Sequence, residues 1–89
     1  MSTIDPGLKA RFEAAVEASK SLSERPDSAT LLRMYALFKQ GSEGDVTGEK
    51  PGAMDFVGAA KWSARDALRG MSATDAMTRY IELVNELKG

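Results

Sequence analysis

Apolar residues along this chain recur at spacings of three and four, and alternation at every second position is nearly absent. That period predicts helices rather than strands. Leu8, Phe12, Ala15 with Val16, Ser19 and Leu22 share one face of a first helix, with Asp5 as N-cap and Pro6 at the first helical position. The run SERPD at 23–27 breaks it. A second helix, capped by Asp27 or Ser28, carries Leu31, Met34 with Tyr35, and Phe38 along one side. Gly41 stands where helices commonly end in a left-handed residue. A shorter third helix begins near Phe56 and ends before Gly70, with Phe56, Ala60, Ala64 and Leu68 as its stripe. The fourth is the most clearly written. Ser72 to Asp75 resembles a capping box with Asp in place of the usual Glu, and Met77, Tyr80 with Ile81, Val84 and Leu87 then step along one face.

The second and third helices are separated by about fourteen residues within the run QGSEGDVTGEKPGAMDF, where short connections are the rule for helix bundles. A long connection points to a crossover, a binding function, or both. Its TGEKP stretch looks like a linker between zinc fingers, but the chain has neither cysteine nor histidine to build one. Its glycines also fall short of a phosphate-binding P-loop. That motif needs four residues between the glycines and then Lys followed by Ser or Thr, whereas Gly44 and Gly48 enclose three and Lys50 precedes Pro51.

Composition narrows the function further. Eighty-nine residues predict a single domain over 1–89 with one modest core, and 43% apolar with 28% charged residues is ordinary for a globular protein. Twelve basic residues against thirteen acidic leave a formal net charge of −1, so no global basic field exists to attract nucleic acid or an anionic membrane. An anion site must be a local cluster. The absence of cysteine fits a reducing compartment, the N-terminus lacks a secretory apolar run, and no stretch approaches the roughly eighteen apolar residues of a membrane span. The expectation is a cytoplasmic protein. Without histidine or cysteine no Ser-His-Asp or Cys-His nucleophile and no ordinary zinc site is possible. The acidic residues fall mostly at solvated positions. No catalytic residue, metal ligand or cofactor is assigned.

One cluster carries chemistry. Tyr35 and Lys39 are four apart on one helical face with Phe38 beside them, and Lys61-Trp62 follows the loop. Aromatic faces next to lysines suit a ligand with both a heteroaromatic ring and phosphates. By spacing alone, Tyr35 and Phe38 belong more often to a core, lone lysines are usually just solvated, and Trp62 serves packing on either reading.

The ordered set Tyr35, Lys39-Gln40, Gly44-Asp45, Pro51-Gly52, Asp55-Phe56, Gly58, Ala60-Lys61-Trp62, Gly70, Ser72, Asp75-Ala76-Met77 and Tyr80-Ile81 resembles the acyl-CoA-binding protein family. The likeness extends from about Phe12 to Leu87 without gaps. It implies an all-α, up-down-down-up four-helix bundle with a long crossover between helices two and three. The crossover lets two consecutive helices run parallel, since a helix of about fifteen residues is about 22 Å long and the loop reaches back along it. TGEKP is then part of that return path.

The resemblance also implies a ligand, a fatty acyl-CoA of medium to long chain, and places its adenine and 3′-phosphate among Lys20, Tyr35, Phe38, Lys39, Lys61 and Tyr80. Lys39 and Lys61 would meet the 3′-phosphate, Tyr35 would donate its hydroxyl, and Tyr80 would pack by the adenine. The acyl chain would lie along Val16, Leu31, Leu32, Met34, Phe56 and Ala60. Three positions depart from the family's habit: Phe38 replaces a common tyrosine, and Val57 and Ala59 replace common lysines. The implied function is non-catalytic binding, buffering and transport of acyl-CoA by a monomer. It involves no nucleic acid and no stable membrane insertion, with transient contacts to enzymes that use acyl-CoA. The alternative is a small helical protein-interaction module that keeps the fold without the ligand.

Overall fold

A computed structural model describes residues 6–89. It contains four helices: α1, Pro6–Ser19; α2, Ser28–Glu43; α3, Phe56–Asp66; and α4, Ala73–Lys88. The expected Asp5 cap lies outside the described residues. α1 stops before Leu22, because the Ser19 hydroxyl donates to the Val16 carbonyl (2.6 Å) and the next two amides, Lys20 and Ser21, tighten into three-residue turns. Leu22 still packs against the core from beyond the helix. Asp27 is the cap of α2, its Oδ1 accepting from the Thr30 amide at 2.8 Å. Ser72 caps α4 in the same way, accepting from the Asp75 amide at 3.0 Å. Each such cap satisfies a backbone donor that the helix leaves open and is worth about 1 kcal/mol.

The helices form an up-down-down-up bundle. α4 lies against both α1 and α2, while α3 packs on α2 alone. The body measures 39 × 39 × 15 Å, so it is a thin layer in which each helix meets only its lateral neighbours. The core sits where α1, α2 and α4 converge, around Phe12, Leu37, Ala76, Met77, Tyr80 and Val84. On α2 the deepest line runs through Met34, Leu37 and Gly41 rather than through Leu31, Tyr35 and Phe38. The reason is that α2 has neighbours on two sides, so it carries a second apolar face beside the core-facing one.

Gly41 departs from its expected role. It is buried inside α2, and the helix runs on to Glu43, where Gly44 at φ 85° ends it. A Cβ on Gly41 would stand 3.1 Å from Met77 Cγ and 3.4 Å from Phe12 Cζ. Glycine here leaves room for the Met77 and Phe12 side chains against α2, and the left-handed position belongs to Gly44. The crossover is accordingly shorter, residues 44–55.

The crossover is tied down along its length. Val46 is buried within it. Asp45 Oδ1 accepts from the Gln40 side-chain amide and from the Gly70 backbone amide, both at 2.8 Å. From α3, the Trp62 indole donates to the Gly48 carbonyl and Arg65 Nη2 to the Gly44 carbonyl, each at 3.3 Å. Of the expected helix-three stripe, Ala60, Ala64 and Leu68 are half-buried and Phe56 is not. α3 contains no fully buried residue, and Phe56 is 79% exposed, because an edge helix resting on one neighbour covers only part of its face. Among the described residues no helix is long and apolar enough to cross a membrane.

Candidate functional site

Two features meet at the second face of α2. The first is an open cleft of about 1090 Å³ between α1 and α2, floored by Met77 of α4. Lys9, Phe12, Glu13, Val16 and Glu17 form its α1 wall, and Phe38, Gly41 and Ser42 its α2 wall. That size lies just above the usual range of about 300–1,000 Å³ for small-molecule pockets. The second is a cation and aromatic cluster where α2 and α3 face each other. Lys61 Nζ of α3 stands 5.2 Å from the centroid of the Tyr35 ring of α2. Lys39 Nζ lies 6.0 Å from the Phe38 ring. Such cation–aromatic contacts contribute about 0.5–1 kcal/mol at exposed sites.

Phe38 joins the two. Its ring stacks on Phe12 with centroids 5.9 Å apart, and Tyr80 stands edge-on to Phe12 at 5.3 Å. The three rings make one aromatic unit whose partly exposed member is Phe38. A planar ring from a ligand would meet Phe38 first. Tyr80, only 4% exposed, supports that surface from behind.

The remaining expected site residues fall in distinct places. Lys20 lies in the turn just after α1, paired with Glu17 at 3.0 Å where both side chains are mostly solvated. Lys39 is paired with Glu43 at 2.9 Å and is the less exposed of the pair. Among the described residues Lys61 has no ion-pair partner. Of the expected acyl-groove residues, Val16 lines the α1–α2 cleft, and Leu31, Leu32 and Ala60 are half-buried on α2 and α3. Met34 belongs to the packed core and Phe56 stands in solvent at the start of α3. Glu43 and Arg65 were not anticipated. Glu43 was signalled by its place four residues after Lys39 on the same helix. Arg65 was not, since its contact with Glu43 at 3.8 Å crosses between helices.

A family profile described as "Acyl CoA binding protein" matches residues 9–84, most of the chain. The chain belongs to the acyl-CoA-binding protein family. It is similar to Acyl-CoA-binding protein homolog 1 of Caenorhabditis elegans, with 47% identity over 76 residues, covering 85% of this chain and 88% of that protein. The Acyl-CoA-binding protein homolog of Drosophila melanogaster is 46% identical over 77 residues, covering 86% and 90% respectively. The crystal structure of Oryza sativa Acyl-CoA-Binding Protein 2 superposes with a TM-score of 0.87 at 36% identity, covering 91% of this chain and 88% of that one. Members of the acyl-CoA-binding protein family are non-catalytic binding proteins.

Proposed function

We propose that this chain binds medium- to long-chain fatty acyl-CoA esters without altering them, buffering and carrying them in the cytoplasm as a monomer and handing them to acyl-CoA-using enzymes. The observation that carries this reading is the convergence of Lys61 on Tyr35 and of Lys39 on Phe38 along the α2–α3 face. A phosphate monoester carries about −1.5 to −2 charges, and lysine answers it as a flexible point charge. Lys39 and Lys61 hold the 3′-phosphate, Tyr35 donates its hydroxyl, and the adenine lies against Phe38 with Tyr80 behind it. Lys20, just past the end of α1, adds a further cation for the head group.

The acyl chain runs along the half-buried Leu31, Leu32 and Ala60 toward the exposed Phe56, with Val16 on the cleft side and Met34 behind. Burying a methylene contributes about 0.8 kcal/mol, so a sixteen-carbon tail offers roughly 10 kcal/mol gross. The tail then dominates affinity, and the head group sets orientation. A second reading, a protein-interaction module without ligand, draws on the exposure of Met54 (93%) and Val57 (66%) beside Phe56. Titration calorimetry with free CoA and acyl-CoAs of increasing length decides between them. Affinity rising with chain length, and an ester recovered intact, supports the carrier. No binding, or equal affinities across the series, removes it.

A further inference from the structure

Glu43 is the last residue of α2, and its two carboxylate oxygens are shared between cations from different helices. Oε2 lies 2.9 Å from Lys39 Nζ, a full turn earlier on α2. Oε1 lies 3.8 Å from Arg65 Nη1 on α3. The two contacts are unequal. The first is a short charge-assisted hydrogen bond, and it is the chief reason that the Glu43 carboxyl is held below its ordinary range, Arg65 adding least. The second is loose.

Arg65 has donor capacity to spare. Its side chain is 15% exposed, its Nη2 donates to the Gly44 carbonyl at 3.3 Å, and its Nε is buried with no acceptor among the described residues. A guanidinium in that state accommodates a carboxylate more fully than it does here. The Glu17–Lys20 pair offers a contrast, since it has no second cation and both of its side chains are mostly in water.

We propose that Glu43 is an internal counter-ion that competes with the ligand's 3′-phosphate for Lys39, and that Arg65 is the alternative partner that takes Glu43 when the phosphate displaces it. This rests on the assignment of Lys39 to that phosphate. Carboxylate and phosphate seek the same ammonium, and a carboxylate left beside a bound phosphate repels it. Movement of Glu43 toward Arg65 relieves that repulsion and closes the loose 3.8 Å contact with Nη1. In the free protein the Glu43 contact holds Lys39 in place beside Phe38. Glu43 therefore keeps Lys39 oriented while setting affinity below what the lysines alone would give.

Calorimetric titration of palmitoyl-CoA and its 3′-dephospho counterpart tests this on the unmodified protein, Glu43→Gln, Lys39→Ala, Lys61→Ala, Arg65→Gln, and Glu43→Gln combined with Lys39→Ala or with Arg65→Gln. Glu43 is half-exposed, so Glu43→Gln should fold normally, as circular dichroism would verify. It should tighten palmitoyl-CoA about two- to fivefold, the scale of a partly exposed ion pair, and leave the dephospho ligand within about twofold. Lys39→Ala should abolish that gain. Arg65→Gln should weaken palmitoyl-CoA only where Glu43 is present. If Glu43→Gln changes neither ligand, or both equally, while Lys39→Ala still reduces discrimination for the phosphate, the counter-ion is overturned and the site assignment stands. If Lys39→Ala and Lys61→Ala both leave discrimination intact, the site assignment itself falls and the counter-ion with it.

Discussion

Gln40 and Asp45 face each other across the end of α2, the Gln40 Nε2 donating to Asp45 Oδ1 at 2.8 Å. The same nitrogen donates to the Met71 carbonyl, also at 2.8 Å. Carboxylate and carbonyl only accept, so the amide nitrogen must be the end that faces both. Gln40 is 1% exposed and thus joins the crossover and the α3–α4 turn from inside the protein. Gln40→Leu keeps the volume but leaves the Met71 carbonyl without its donor. Stability should fall by about 1–3 kcal/mol in urea titrations. Acyl-CoA affinity should change little, because neither partner reaches the ligand site.

Asp45 makes this junction sensitive to acid. The Gly70 backbone amide, then the Gln40 side chain, hold its carboxyl below the ordinary carboxylate range. A depressed native pKa contributes stability that is complete above the unfolded-state value, about 3.9, and is lost as pH falls through the native value. The melting temperature should therefore be flat through neutral pH as far as Asp45 is concerned and fall below about pH 4. In Asp45→Asn that acid-dependent fall should be shallower, from a lower starting point. Parallel curves for the two proteins would show that Asp45 is uncoupled from folding.

The tolerance of Gly41 separates two roles for a glycine. If it ended the helix, any L-residue would be strained by backbone alone. Instead it is packed in helix beside Met77 and Phe12. Alanine should be nearly neutral, since better helix propensity of about 1 kcal/mol offsets a contact that the pliable Met77 side chain relieves. Valine adds a branch with no room, and should destabilise by about 1–3 kcal/mol. Gly44→Ala, with nothing near its Cβ but φ at 85°, should destabilise through backbone strain instead.

Local signals were legible in the sequence. Asp27, Ser72 and the α4 stripe of Met77, Tyr80 and Val84 follow from spacing and capping chemistry, and the structure places them as that chemistry dictates. What depended on neighbours was not. Gly41 read as a terminator because its partner Met77 lies thirty-six positions later, and close approach leaves no local mark. Leu37 sat outside the expected stripe because α2 serves two neighbours at once. At the site, Tyr35 with Lys39 was visible as a helical pair. The approach of Lys61 to the Tyr35 ring required the crossover that sets α3 beside α2.

Phe56 gives the sharpest separation between packing and binding. The sequence places it on the α3 stripe and along the expected acyl groove, and had it been core its change to alanine would lose about 3–5 kcal/mol. The ring is instead 79% exposed at the first turn of α3. Phe56→Ala should therefore shift the unfolding free energy by no more than about 0.5 kcal/mol. If the ring covers the tail of a bound ester, the same change removes apolar contact only when a tail is present. Affinity for palmitoyl-CoA should drop severalfold, affinity for free CoA should stay the same, and the slope of affinity against chain length should flatten. Equal weakening of free CoA and palmitoyl-CoA would mean that Phe56 acts on the head group. Unchanged affinity for both would take the acyl chain away from α3 altogether, leaving the cleft between α1 and α2 as its place.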